Sequence, residues 1–285
     1  MSFRAALAVA RAPVDLARLP TDATPGFAGD KAAGQQALAA IGTELADLQE
    51  RLFAEGRSGT ESAPGRSVLL VLQGMDTSGK GGTLRGAVGL IDPQGVRITS
   101  FKAPTEEERS HDFLWRIRRG LPGPGIVGVF DRSHYEDVLI HRVRALASPE
   151  EIERRYGAIN DFEAELAEAG TTVLKVMLHI SAAEQRERLL ARLDDPTKHW
   201  KYNPGDVDER ELWPAYREAY EVALERTSTA TAPWHVVPAD RKWYRNLAVA
   251  NLLLETLRGI DPQWPLADFD VEGERRRLLD QPEIA

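Results

Sequence analysis

The 285-residue chain contains no cysteine. Disulfides, thiol nucleophiles, iron–sulfur clusters and thiolate zinc sites are therefore excluded together, and the composition suits a reducing cytosol. Its six histidines show no metal-ligand spacing. No window approaches 18 uninterrupted apolar residues, and residues 1–11 are too weakly apolar for a signal peptide, so a cytoplasmic protein with no membrane partner is expected. Positive charge is also in deficit. With 36 Lys and Arg against 44 Asp and Glu the net charge is -8, which opposes broad binding to nucleic acid or anionic membrane. A polyanionic substrate needs only one lined channel, and the rest of the surface is then free to be acidic.

Hydrophobic residues make up 42% and charged residues 28%, an ordinary globular balance. A chain of this size buries roughly 75% of its unfolded surface and needs no covalent staple. Leu38, Ile41, Leu45, Leu48 and Leu52 recur at three- and four-residue spacing, which predicts an amphipathic helix over 31–55. A Ser/Gly/Pro linker follows at 58–65. Short continuous apolar runs at 67–73, 96–101, 125–130, 173–180 and 234–237 read as buried strands. Between them lie helical patterns with capping signals: Thr105 with Glu108, Ser148 with Pro149 and Glu151, Ser181 with Glu184, and Asp208 with Glu211. Such alternation predicts an α/β fold with a parallel sheet between helical layers and a ligand site at the strands' carboxyl ends. Residues 1–30 read as an irregular arm, and 31–285 as one domain.

The chemistry concentrates in Gly74-Met75-Asp76-Thr77-Ser78-Gly79-Lys80, a G-x-x-x-x-G-K loop between the strand 67–73 and a predicted helix. Glycines let backbone N–H groups turn toward phosphate oxygens, and Lys80 brings a point charge. Gly81 departs from the usual pattern, which places there a Ser or Thr hydroxyl for Mg²⁺. Asp76 is the candidate replacement carboxylate, or else a solvated loop aspartate, with Thr83 a weaker candidate. Asp131 ends the strand 125–130 as a second metal carboxylate, or else caps a helix, and Arg132 follows it directly. His134 is as consistent with a structural role as with a catalytic one.

Arg186, Arg188 and Arg192 lie on the helix after the strand 173–180, either clamping phosphates or pairing with nearby carboxylates. The turn-rich stretch to Gly205, with Lys198 and Lys201, reads as part of a lid over about 184–206. Lys102, Arg116, Arg118 and Arg119 either extend a basic track or are solvated. Trp115, Trp213, Tyr216 and Tyr220 fit core packing at helical spacing.

From about residue 31 to 265 these residues resemble the polyphosphate kinase 2 family. The likeness rests on the loop 74–80 and on the stretches 100–105, 110–116, 130–137, 198–206 and 238–245. It implies a thymidylate-kinase-like P-loop kinase fold of three layers, a central parallel sheet and a helical lid. It also implies transfer of a phosphoryl group between inorganic polyphosphate and adenine or guanine nucleotides. Mg²⁺ would be the cofactor, with Mn²⁺ an alternative, and the protein a homodimer or homotetramer. Carried over by position, Asp76, Lys80, Asp131, Arg132 and Arg188 become catalytic, with Asp76 and Asp131 on the metal. Gly74, Met75, Thr77, Ser78, Gly79, Gly81, Lys102, Glu136, Arg192, Lys198 and Lys201 become polyphosphate- or nucleotide-binding. Glu136 resembles the members that accept AMP as well as ADP. The rival reading is an ATP-dependent nucleoside or small-molecule kinase, which shares the loop and the strand-end Asp. From another class, a nucleotide-binding switch without turnover would bind and not react.

Overall fold

The structure, a computed structural model, describes residues 2–9, 12–58 and 65–282. Most of the linker expected at 58–65 lies outside the described residues. In chain order the elements are α1 (Phe3–Leu7), α2 (Lys31–Arg57), β1 (Ser67–Gln73), α3 (Lys80–Gly86), β2 (Val96–Ser100), α4 (Glu106–Arg109), α5 (Trp115–Gly120), β3 (Val127–Asp131), α6 (Ile140–Val143), α7 (Pro149–Glu168), β4 (Thr171–His179), α8 (Ala182–Leu193), α9 (Gly205–Glu211), α10 (Trp213–Thr227), β5 (Trp234–Pro238), α11 (Lys242–Ile260) and α12 (Val271–Leu279).

All five strands are parallel, in the order β2-β3-β1-β4-β5. β1 is central and fully buried. Its alternating side chains feed two cores: Val68, Leu70 and Leu72 pack with the α2 and α11 layer, Leu69 and Val71 with the α7 and α10 layer. This is the three-layer arrangement expected from the alternation of strands and helices. Because β1 and β3 lie side by side, with Leu72 opposite Asp131, the loop after β1 and the carboxylate ending β3 emerge together.

The capping signals hold at Thr105–Glu108, where both reciprocal bonds form, at Ser148 before Pro149 and at Ser181. One boundary moves. The helix expected from Asp208 begins at Gly205, since Asn203 Oδ1 accepts from the Gly205 N–H at 3.0 Å and Pro204 enters the turn with its φ fixed. Among the described residues of the N-terminal arm, some carry regular structure and pack on the rest of the chain. Phe3–Leu7 is helical, Ala8 bridges His235, and the Tyr244 hydroxyl donates to the Pro25 carbonyl at 2.6 Å. Among the described residues no helix is long and apolar enough to cross a membrane.

Candidate active site

The loop after β1 is bent by backbone that favours glycine. Gly74 (φ +153°) and Gly79 (φ +108°) adopt it freely, and a Cβ at Gly74 would fall 2.7 Å from both the Leu178 carbonyl and Ser78 Oγ. Thr77 holds φ +62°, unusual for a β-branched residue. Lys80 reaches back across the loop, and its Nζ donates to the Gly74 carbonyl at 3.0 Å. Enclosure lowers its pKa and Arg132 adds to that, while Asp76, Asp131 and Glu136 oppose both. Thr77 Oγ1 and Ser78 Oγ are buried without a hydrogen-bond partner. The Thr83 hydroxyl, by contrast, donates to the Gly79 carbonyl at 3.2 Å. Gly81 faces open space.

At the end of β3, Arg132 occupies φ +64°, a conformation that costs a non-glycine residue on the order of 1 kcal/mol. The bend aims its guanidinium at Asp76 Oδ1, 2.9 Å away, with Glu136 at 3.9 Å. Burial of Arg132 lowers its pKa, but Glu136 and Asp76 outweigh it and the net shift is upward. Burial raises the Glu136 carboxyl, against Arg132 and Lys80. The Gln73 amide satisfies both its neighbours when its nitrogen faces Glu136 and its oxygen faces Ser133, each at 3.1 Å.

This turn is anchored from beneath. His134 and Tyr135 are fully buried, and the Tyr135 hydroxyl donates to Glu163 Oε1 at 2.8 Å. Lys175, also fully buried, donates to Glu163 Oε2 (2.6 Å), the Tyr135 hydroxyl (2.9 Å) and the Thr227 carbonyl (2.6 Å). His134 Nε2 lies 3.4 Å from Glu163 Oε1, so the structure gives this histidine the structural role.

Arg188 sits differently from a mobile phosphate clamp. Its Nε donates to Glu184, Nη1 to the Thr77 and Ser78 carbonyls, and Nη2 to the Ala239 and Asp240 carbonyls. Every donor is engaged. The guanidinium ties the outer carbonyls of the loop to the turn after β5. The expectation of direct catalysis by Arg188 thus meets a residue that braces the loop.

Two cavities meet at Asp76 and Arg132. One, of about 250 Å³, is lined by Gly74, Met75, Glu136, Leu139, Ile140 and the aromatic rings of Trp213, Tyr216 and Tyr220. The other, of about 610 Å³, has nine basic residues against three acidic ones. It contains Thr77, Ser78, Gly79, Lys80, Gly81, Asp131, Arg188, Arg192, Lys198 and Lys201, and none of its lining residues is aromatic. Arg192 donates to the Lys201 carbonyl and pairs with Asp206 at 3.5 Å, and Lys198 pairs with Asp195 at 2.7 Å.

Lys102 is exposed and lines neither cavity. Arg116 is buried under Lys102, donating to its carbonyl and stacking on Phe101, while Arg118 pairs with Glu165 at 2.7 Å. The sequence reading missed Arg85, Lys242 and Arg245 in the basic cavity, although Lys242 and Arg245 lie in the stretch 238–245 already singled out. The packing reading holds for Tyr220, which is buried in one core, and for Trp213, which packs against the other; together with Tyr216 they also line the smaller cavity, a second role that helical periodicity does not reveal.

The family described as Polyphosphate kinase 2 (PPK2) matches residues 28–265. An AMP/ADP-polyphosphate phosphotransferase of Meiothermus ruber is 47% identical over 251 residues, 88% of this chain and 91% of the relative. An ADP-polyphosphate phosphotransferase of Rhodopseudomonas palustris is 40% identical, over 88% of each chain. The crystal structure of a polyphosphate kinase 2 from Arthrobacter aurescens TC1 superposes with a TM-score of 0.94 at 56% identity, covering 99% of this chain and 98% of that one.

Proposed function

The chain belongs to the polyphosphate kinase 2 family, and on that footing we propose that it moves a phosphoryl group between inorganic polyphosphate and an adenine or guanine nucleotide. The basic cavity carries this reading. Its nine cations suit a long polyanion, and without an aromatic wall it offers a base nothing to stack on, which disfavours ATP as the donor. The neighbouring cavity, with Trp213, Tyr216 and Tyr220, suits the nucleotide.

In the direction of nucleotide synthesis, a terminal phosphate oxygen of the nucleotide attacks the end phosphorus of polyphosphate. The bridging P–O bond breaks, and the shortened chain leaves with the electron pair. Lys80, in the basic cavity, and Arg132, where the two cavities meet, neutralise charge growing on the transferred group, and one well-placed cation of this kind is worth roughly 10³ to 10⁵ in rate. Asp76 holds the Arg132 guanidinium in place. The lid cations Arg192, Lys198 and Lys201 bind the donor and help exclude water.

Asp76 and Asp131 would hold Mg²⁺, or Mn²⁺ in its place. Two carboxylates lining the basic cavity would suit a hard, oxygen-seeking cation; among the described residues no group of three or more His, Cys, Asp or Glu side chains forms a metal cage. When bound, the ion supplies charge neutralisation at the bridging oxygens.

We extend the proposal to AMP as well as ADP as acceptor, supported by Glu136 in the nucleotide cavity and by the name of the Meiothermus ruber relative. The test is nucleotide analysis after incubation with Mg²⁺, long-chain polyphosphate and either AMP or ADP, beside a Lys80→Ala control. Polyphosphate-dependent ATP from ADP supports the reaction, and ADP followed by ATP from AMP supports the wider acceptor range. No turnover of either nucleotide by folded protein refutes the function.

A further inference from the structure

α3 presents a bare face to α11. Gly79, Gly82 and Gly86 follow at three- and four-residue spacing and so lie along one side of the helix and its cap. Glycine is the poorest helix former after proline, so the two of this stripe inside the helix, Gly82 and Gly86, need a reason. The reason is steric. A Cβ on Gly79 would overlap Arg245 Nη1, one on Gly82 would lie 2.6 Å from Arg245 Nη2, and one on Gly86 would overlap Asn246 Nδ2. The stripe is shaped to receive the guanidinium of Arg245 and the amide beside it.

Arg245 is only 4% exposed. Its Nε and Nη2 donate to Asn246 Oδ1 at 3.2 and 2.9 Å, and among the described residues it forms no ion pair with a carboxylate. The charge that bears on it is the guanidinium of Arg188, also positive, whose donors are all engaged elsewhere. Burial and Arg188 together draw the Arg245 pKa down to about 10, so it stays charged at neutral pH. A buried cation beside a second cation and without an acidic partner is unfavourable until an anion arrives. Arg245 lines the basic cavity together with Lys242, three residues earlier on α11, and Arg85 on α3. Burial in a pure packing role favours an apolar side chain, and this wall of the cavity instead carries a buried charge.

We propose that Arg245 is a polyphosphate-binding residue, its guanidinium held against the glycine face of α3 to take phosphate oxygens of the donor chain. Lys242 and Arg85 continue the path along the seam between α3 and α11, away from the aromatic nucleotide cavity. The donor is then gripped on two sides, by this seam and by the lid cations. The assignment rests on the polyphosphate reading above.

The experiment measures steady-state kinetics with polyphosphate varied at saturating ADP and with ADP varied at saturating polyphosphate, beside calorimetric binding of polyphosphate. In Arg245→Gln the polyphosphate KM and Kd are expected to rise about tenfold, the cost of one charge-assisted contact, with the ADP KM within twofold. Arg245→Lys restores part of the affinity. Gly82→Ala keeps the arginine but displaces it, so it should raise the polyphosphate KM although alanine is the better helix former. A packing role alone would lower the melting temperature and leave the polyphosphate KM of folded protein unchanged. If Arg245→Gln fails to fold, Arg245→Lys and Gly82→Ala decide. Polyphosphate KM and Kd within twofold of wild type in the folded variants overturn the assignment while the reaction itself stands. A wild-type protein that neither binds nor turns over polyphosphate overturns the function, and this assignment with it.

Discussion

Replacing Lys175 by methionine tests how the catalytic turn is held. The Lys175 ammonium is fully buried between β4, α7 and α10, and its three protons go to Glu163, Tyr135 and the Thr227 carbonyl at 2.6 to 2.9 Å. Methionine has similar length but no donor, so the Lys175→Met protein keeps Glu163 buried with its partner gone. Breaking a buried pair in this way costs about 3 to 5 kcal/mol, whereas replacing both members by apolar groups is often neutral. The single variant should therefore melt about 10 °C lower, and the double variant Lys175→Met/Glu163→Leu should recover most of that loss. Tyr135 and Glu163 support the turn carrying Arg132 and Glu136, so turnover measured well below the melting temperature should also fall in the single variant. The assay is urea unfolding followed by circular dichroism, with nucleotide turnover at 20 °C alongside. A Lys175→Met protein within 1 kcal/mol of wild type would refute the reasoning, since it would mean that the Glu163 charge is solvated in solution.

Arg188→Met should lower stability by about 2 kcal/mol or more by freeing four carbonyls from one guanidinium, and should reduce kcat more than tenfold; Arg188→Lys should not rescue it, because an ammonium cannot span both loops. Unchanged kcat in the methionine variant would show that the loop holds its shape unaided. Glu136→Gln should change the ratio of AMP to ADP kcat/KM by about fivefold, and an unchanged ratio would remove Glu136 from acceptor selection. His235 is buried neutral, its pKa pushed from 6.5 down to about 4 by burial. The folded value lies below the unfolded one, so its contribution of about 3 kcal/mol is present above pH 6.5 and lost as pH falls through 4. Urea midpoints of wild type and His235→Phe between pH 7 and 4 test this: the wild-type curve should fall more steeply, and parallel curves would refute it.

The elements that place the reaction were legible because they are local. A strand such as 67–73 announces itself as an apolar run, and a loop such as 74–80 by glycines at φ values that other residues avoid. Asp131 and Arg132 could be placed at a strand end for the same reason, and the order of strands and helices implied the parallel sheet. The partners of each cation were decided only by the tertiary structure. Arg188 and Arg192 look alike four residues apart on one helix and both line the basic cavity, yet packing against the loop and the turn after β5 engages every donor of Arg188, while Arg192 is held by the Lys201 carbonyl and Asp206. Arg245 is about 170 residues from the loop in sequence, and its meaning depends on the glycine face of α3 lying against α11. Burial, charge pairing and the walls of a cavity come from segments that meet only in the folded chain. The spacing of residues along one segment therefore fixes what the segment is, and the contacts between segments fix what its side chains do.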